Sequence, residues 1–237
     1  MSVLRRKILI SVTSFAMMGF LFYGVYPRNS VPVSENHTIP VTLIIDAGHG
    51  GEDGGALSVT GIKESNLNLQ IALRADDLAA LCGLRSVLTR QNDMSLHNSS
   101  CRTIAEKKAS DLRNRVNLVN STPDAILVSI HQNHFPQEKY CGAQVFYSAS
   151  SQSSDFAGHM QEDFRLLDHS NKRQAKPTKG IFLMEHVLCP AVLVECGFLS
   201  NYAELQKLQN ESYQKKIAAT ILRTIVQNGN GVIEHEI

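Results

Sequence analysis

"IIDAGHGGEDGGA", residues 44–56, sets an apolar run against a glycine-rich loop that carries one histidine and three acids. An apolar run that stops at a glycine turn reads as a buried strand opening into a tight loop. Such a loop can cradle a phosphate, make a turn, or present a metal ligand. The phosphate reading fits badly. "GHGGEDGG" lacks Gly-x-Gly-x-x-Gly spacing, no Gly-Lys-Ser/Thr follows, and Glu52 and Asp53 repel an anion. The glycines instead let the backbone turn sharply, expose His49 and leave room for a substrate chain.

Working outward, four more short runs resemble that first strand (residues 41–46). They are "RSVLT" (85–89), "AILVSIH" (125–131), "AQVFYS" (143–148) and "AVLVEC" (191–196). Several are near-continuous apolar, as befits strands covered on both faces. Between them, apolar residues recur at helical spacing over 64–81, 110–120, 155–167 and 202–226. Strand and helix in alternation predict an α/β fold: a single twisted, mostly parallel β-sheet with helices on both faces.

The N-terminus differs from everything after it. Arg5, Arg6 and Lys7 precede a charge-free run over residues 8–26. About 19 residues just span a hydrocarbon core of about 30 Å. The basic flank predicts an uncleaved signal anchor over residues 1–26, its C-terminal side facing away from the cytoplasm. A cleaved signal peptide is the rival, but no clear Ala-x-Ala site follows. Residues 27–40 are rich in proline and polar side chains and read as a linker, leaving 41–237 as one domain.

Composition narrows the partners. With 23 basic and 22 acidic residues, the net charge of +1 gives no support for nucleic acid. Five cysteines without Cys-x-x-Cys spacing make neither a disulfide framework nor a zinc ribbon.

In open α/β sheets ligands collect beyond the carboxyl ends of the strands. The first strand runs into Asp46 and His49, the third ends at His131, and the last carries Glu195. Glu64 starts the helix that returns from the first loop. Two histidines and a carboxylate form a known catalytic-zinc set, and a further carboxylate can act as general base. On that reading His49, Glu64 and His131 are the ligands and Glu195 the base. Blander roles stand beside it: a turn histidine, an acid favoured at a helix N-terminus, and a buried ion-pair member. Glu195 fits its bland role least, since "AVLVECGFL" embeds one acid among apolar residues. Cys196 points to the opposite strand face, towards the core. His134 cannot join His131 on a metal as a helical His-Glu-x-x-His would. His37, His97, His159, His169, His186 and His235 read as surface or structural residues.

Several motifs together resemble the zinc-dependent N-acetylmuramoyl-L-alanine amidases of the amidase-3 type. "IIDAGHGGEDGGA" is similar to the first zinc motif, with Ala47 where proline is commoner. "GIKESNLNL" resembles the segment bearing Glu64, "VSIHQNHF" the one bearing His131, and "PAVLVECGFLSN" the C-terminal motif bearing Glu195. "VLTRQND" and "RVNLVN" place Arg90, Arg115 and Asn120 at supporting positions, and Asn133 also stands at a family position. The resemblance runs over residues 41–226.

It implies a zinc ion (Zn2+) held by His49, Glu64 and His131, with Glu195 catalytic. The reaction implied is cleavage of the amide between N-acetylmuramic acid and the L-alanine of the stem peptide. Asp46 and Asn133 either orient ligands and substrate or simply pack. The short layout resembles membrane-anchored amidases of spore formers that act on cortex peptidoglycan, with membrane tethering in place of a wall-binding domain. The region 152–179 is too short for the long inhibitory helical insert of some relatives. Two other functions remain open: a catalytically silent peptidoglycan-binding module, and a zinc peptidase cutting within the stem peptide.

Overall fold

A computed structural model of the protein describes residues 41–233. The anchor and linker expected over 1–26 and 27–40 lie outside the described residues, as do His37 and His235. Among the described residues, no helix is long and apolar enough to cross a membrane.

The chain order is β1 (Thr42–Ala47), α1 (Glu64–Leu81), β2 (Arg85–Leu88), α2 (Ile104–Asn120), β3 (Ala125–Asn133) and β4 (Gln144–Tyr147). Then follow α3 (Ser151–Leu167), β5 (Lys176–Pro177), α4 (Phe182–His186), β6 (Ala191–Phe198), α5 (Tyr202–Gln209) and α6 (Glu211–Ile233). One six-stranded sheet runs β2-β1-β3-β6-β4-β5. Its pairs are parallel except β4 with β6. This is the mostly parallel α/β sheet that the alternating pattern predicts.

Period-two alternation along the central strands divides the molecule into two unequal faces. Leu43, Ile45, Ile126, Val128, Ile130, Val192, Val194 and Cys196 point to one side. There they pack with Leu67 and Ile71 of α1, Phe156 and Met160 of α3, and Ile217 and Ile221 of α6. Each such side chain contributes about 1.5–3 kcal/mol by leaving water, so this thick layer anchors the fold. The opposite side carries Ile44, Leu127 and Leu193, covered by Val119 of α2 and Leu183 and Met184 of α4. This cluster is smaller.

Strand parity then assigns the polar residues. Asp46 follows Ile44, Ser129 and His131 follow Leu127, and Glu195 follows Leu193, all on the thin face. Register aligns Asp46 with Ser129 and His131 with Glu195. Cys196 lies on the thick side, buried in the core as its position predicts.

Helix boundaries move where capping outweighs periodicity. α2 begins at Ile104, a turn and a half before the expected 110, because Thr103 and Glu106 close a reciprocal capping box. α3 starts at Ser151, with the Ser150 hydroxyl accepting from the Ser153 amide. The expected helix over 202–226 is two, divided at Asn210, whose side chain accepts from the Tyr213 amide.

Candidate metal centre

Glu64 is the first residue of α1 and is buried at the carboxyl edge of the sheet. Its Oε2 lies 3.3 Å from His49 Nε2, and its Oε1 lies 2.9 Å from His131 Nδ1. One donor atom from each of these residues falls within 4.8 Å of the others. The structure thus brings together the three residues expected as ligands, from three separate stretches of chain. Two imidazoles and a carboxylate suit zinc.

The carboxylate is held from several sides. Oε2 accepts from the Ala56 amide at 2.9 Å, and Oε1 accepts from the Gln132 amide at 3.1 Å. Asn68, one turn along α1, donates to Glu64 and to the Gly48 carbonyl, and Gln132 in turn donates to Asn68. Burial alone would raise the Glu64 pKa. Hydrogen bonds with His131 and His49 outweigh it and hold the carboxyl well below the usual range.

Two glycines are required by this packing. A Cβ on Gly48 would lie 2.2 Å from His131 Nε2, and one on Gly55 would lie 2.6 Å from Glu64 Oε2. The space expected to admit substrate is, at these two positions, filled by the ligand side chains themselves. His49 adopts φ 62°, in the left-handed region, and glycines 50 and 51 follow at φ 138° and 62°.

Two buried arginines fix that loop. Arg90 donates to the carbonyls of Ala47, Gly48 and Ser65. Arg115 donates to the carbonyls of Ala47 and His49 and pairs with Asp46 and Asp111. Asp46 also accepts from Ser129 and Thr89. Asp46 is therefore scaffolding, fully buried beneath the loop. Asn120 takes a related role farther away, binding the backbone of His186 and Leu188.

Glu195 faces a cavity of about 220 Å³ that His49, His131, Lys108, Ile181, Leu183 and Leu193 also line. Its Oε2 is buried with no hydrogen-bond partner. Burial is the chief cause that pushes its carboxyl up to about 7, with the nearby Glu64 charge adding to it and the two histidines opposing. An unpaired buried carboxylate beside a ligand cluster is costly unless a cation or a substrate proton completes it. The donor set and this orphaned oxygen together fit a metal ion.

The reading of the sequence missed Asp53, whose Oδ2 stands 3.0 Å from His49 Nδ1. It also missed Leu183, from a five-residue helix with no periodic signature, and Ile181, which immediately precedes that helix. His134 joins no ligand group and is exposed; Asn133 sits half-buried where β3 ends.

A family model described as N-acetylmuramoyl-L-alanine amidase matches residues 43–227. The chain is 33% identical over 233 residues to the germination-specific N-acetylmuramoyl-L-alanine amidase of Bacillus subtilis, covering 94% of this chain and 96% of that protein. Among solved structures it is similar to the CwlD amidase of Clostridioides difficile in complex with the GerS lipoprotein. There the TM-score is 0.76 and identity 39%, over 79% of this chain and 97% of that one. The catalytic domain of the amidase CwlV from Bacillus (Paenibacillus) polymyxa matches with TM-score 0.69 and 28% identity, over 80% and 98% of the two chains.

Proposed function

The chain belongs to the amidase-3 family of N-acetylmuramoyl-L-alanine amidases, and we propose that its hydrolysis runs at a zinc ion held by His49, Glu64 and His131, with Glu195 as proton carrier. As an amidase of cell-wall or spore-cortex peptidoglycan, it splits the amide between N-acetylmuramic acid and L-alanine. The observation that carries the assignment of roles is the convergence of those three donors within 4.8 Å beside the unpartnered Glu195 Oε2.

Zinc supplies a Lewis acid for the amide carbonyl and lowers the pKa of a water towards neutrality. Glu195 takes a proton from the attacking water and delivers it to the nitrogen of the departing L-alanine. The C–N bond breaks, a C–O bond forms, and a lactyl carboxylate and a free amine result. Ile181, Leu183 and Leu193 give the cavity an apolar wall that excludes bulk water and strengthens the charge interactions opposite.

Wall-side placement follows from the basic flank and charge-free run at the N-terminus, which tether the domain outside the cytoplasmic membrane. A role in germination is supported by the similarity to the Bacillus subtilis enzyme. A lipoprotein partner, as in the CwlD complex, suits an enzyme tethered at that surface.

Defined muropeptides incubated with the zinc-loaded domain and read by mass spectrometry test the reading. The expected products are glycan bearing a free lactyl group and an intact peptide beginning with L-alanine. Release of an amino acid from within the stem, or binding without cleavage, overturns it. Glu195→Gln should retain zinc and lose turnover.

A further inference from the structure

We propose that Asp53 is a positioning residue for the metal centre, fixing the tautomer of His49 so that Nε2 is presented to the ion. The inference rests on the zinc reading above and extends it to a residue outside the ligand set.

His49 has two ring nitrogens with different neighbours. Nε2 faces the Glu64 carboxylate, the direction in which the other donors converge, at 3.3 Å. Nδ1 faces away, 3.0 Å from Asp53 Oδ2. A neutral imidazole carries one proton, and of the two carboxylates beside the ring Asp53 is the nearer, at 3.0 Å against 3.3 Å for Glu64, so the proton goes to Nδ1 when Glu64 and Nε2 both turn to the ion. The lone pair is then on Nε2. Carboxylate–histidine pairs of this kind orient metal ligands and raise their basicity.

The loop is built to make this pair. His49 stands among Gly48, Gly50 and Gly51, where glycine would adopt the left-handed φ without strain, yet a histidine occupies φ 62°. Its backbone is held there by Arg115. Gly50 and Asp53 exchange backbone hydrogen bonds of 2.8 and 3.3 Å, closing a short turn that returns Asp53 over the ring. The carboxylate is itself steadied, Oδ1 accepting from the Gly55 amide and Oδ2 lying 3.4 Å from Lys108 Nζ. Glu52, next in sequence, pairs instead with Lys107 at 2.6 Å, which makes it a natural control for loss of charge.

The test uses the full chain in detergent, as wild type and as Asp53→Asn, Asp53→Ala, Glu52→Gln and His49→Ala. Zinc affinity is measured by competition with a chromophoric chelator, and the His49 tautomer by nitrogen-15 NMR of histidine-labelled, metal-free protein at pH 10, where the ring is neutral. Thermal melts of each variant verify that it is folded. Asp53→Asn and Asp53→Ala should weaken zinc by about 10–100-fold and leave His49 in mixed tautomers, while Glu52→Gln stays within about twofold of wild type. Unchanged affinity and tautomer in both Asp53 variants overturn the proposal. An equal loss in Glu52→Gln overturns it too, since the effect would then be general charge. If His49→Ala also binds zinc as wild type does, the metal centre itself has been misassigned.

Discussion

Arg115 donates to the carbonyl oxygen of His49 at 2.8 Å, so a buried guanidinium on α2 holds a backbone that stands in the left-handed region. The same side chain pairs with Asp46 and Asp111. Burial opposes its charge, but the Asp46 and Asp111 carboxylates outweigh that and raise its pKa above the ordinary value. For Asp46, burial pushes upward, and Arg115 and Ser129 outweigh it downward.

Removing Arg115 therefore strands a buried carboxylate. Arg115→Met should lower stability by about 3–5 kcal/mol in urea unfolding of the metal-free protein. Adding Asp46→Asn removes the orphaned charge and should recover part of that loss. A cost below about 1 kcal/mol for the single variant would show that the network does not hold the loop.

Gly48 and Gly61 separate steric need from backbone conformation. A Cβ at Gly48 meets the His131 ring at 2.2 Å, whereas at Gly61, with φ 83°, nothing lies within 4 Å. Gly48→Ala should displace the ring and weaken zinc binding by 100-fold or more, on the order of 3 kcal/mol. Gly61→Ala should cost only about 1–2 kcal/mol of left-handed strain and leave zinc affinity unchanged. Calorimetric titration of both variants distinguishes the effects; equal zinc affinity in the two contradicts the packing account.

Much of this site is legible in the chain because it is built from strand ends. Asp46, His131 and Glu195 announce themselves as polar residues terminating or interrupting apolar runs, and strand parity alone puts Cys196 on the other face. Asp53 is different. It reaches His49 through a turn of left-handed residues, and glycines in a row tell of freedom without telling its direction. Helix starts behave similarly: exposed Ile104 and Lys108 break the apolar rhythm of α2, yet Thr103 and Glu106 spell the capping box that begins it. The apolar wall from Ile181 and Leu183 had no readable signal, since one turn of helix is too short for periodicity.

Metal binding should depend on pH through His49. Burial lowers its pKa, but hydrogen bonds with Asp53 and Glu64 outweigh this and raise it to about 9. In the metal-free domain that pairing stabilises the fold fully below the ordinary value of about 6.5, and the stabilisation is lost as pH rises through about 9. Zinc needs the neutral ring and must displace the proton. Apparent affinity should rise by up to about tenfold per pH unit between about 6.5 and 8.5. Titration calorimetry in buffers of different ionisation heat should register proton release; a flat affinity across that range contradicts the assignment.

Glu195 gives the same sign of stability change at lower pH. Its folded pKa of about 7 stands above the ordinary carboxylate value, so between about 4.5 and 7 the folded state binds more protons than the unfolded chain. Stability of the metal-free protein is therefore lost as pH rises through that window. Glu195→Gln removes the ionisation and should stabilise that form by on the order of 2 kcal/mol at pH 8, with little gain at pH 4. Turnover should change in the reverse direction. The variant loses it, because a glutamine amide cannot accept the water's proton. Melting curves at the two pH values decide the first part: equal shifts at pH 4 and pH 8 would mean that Glu195 is not buried as a strained charge.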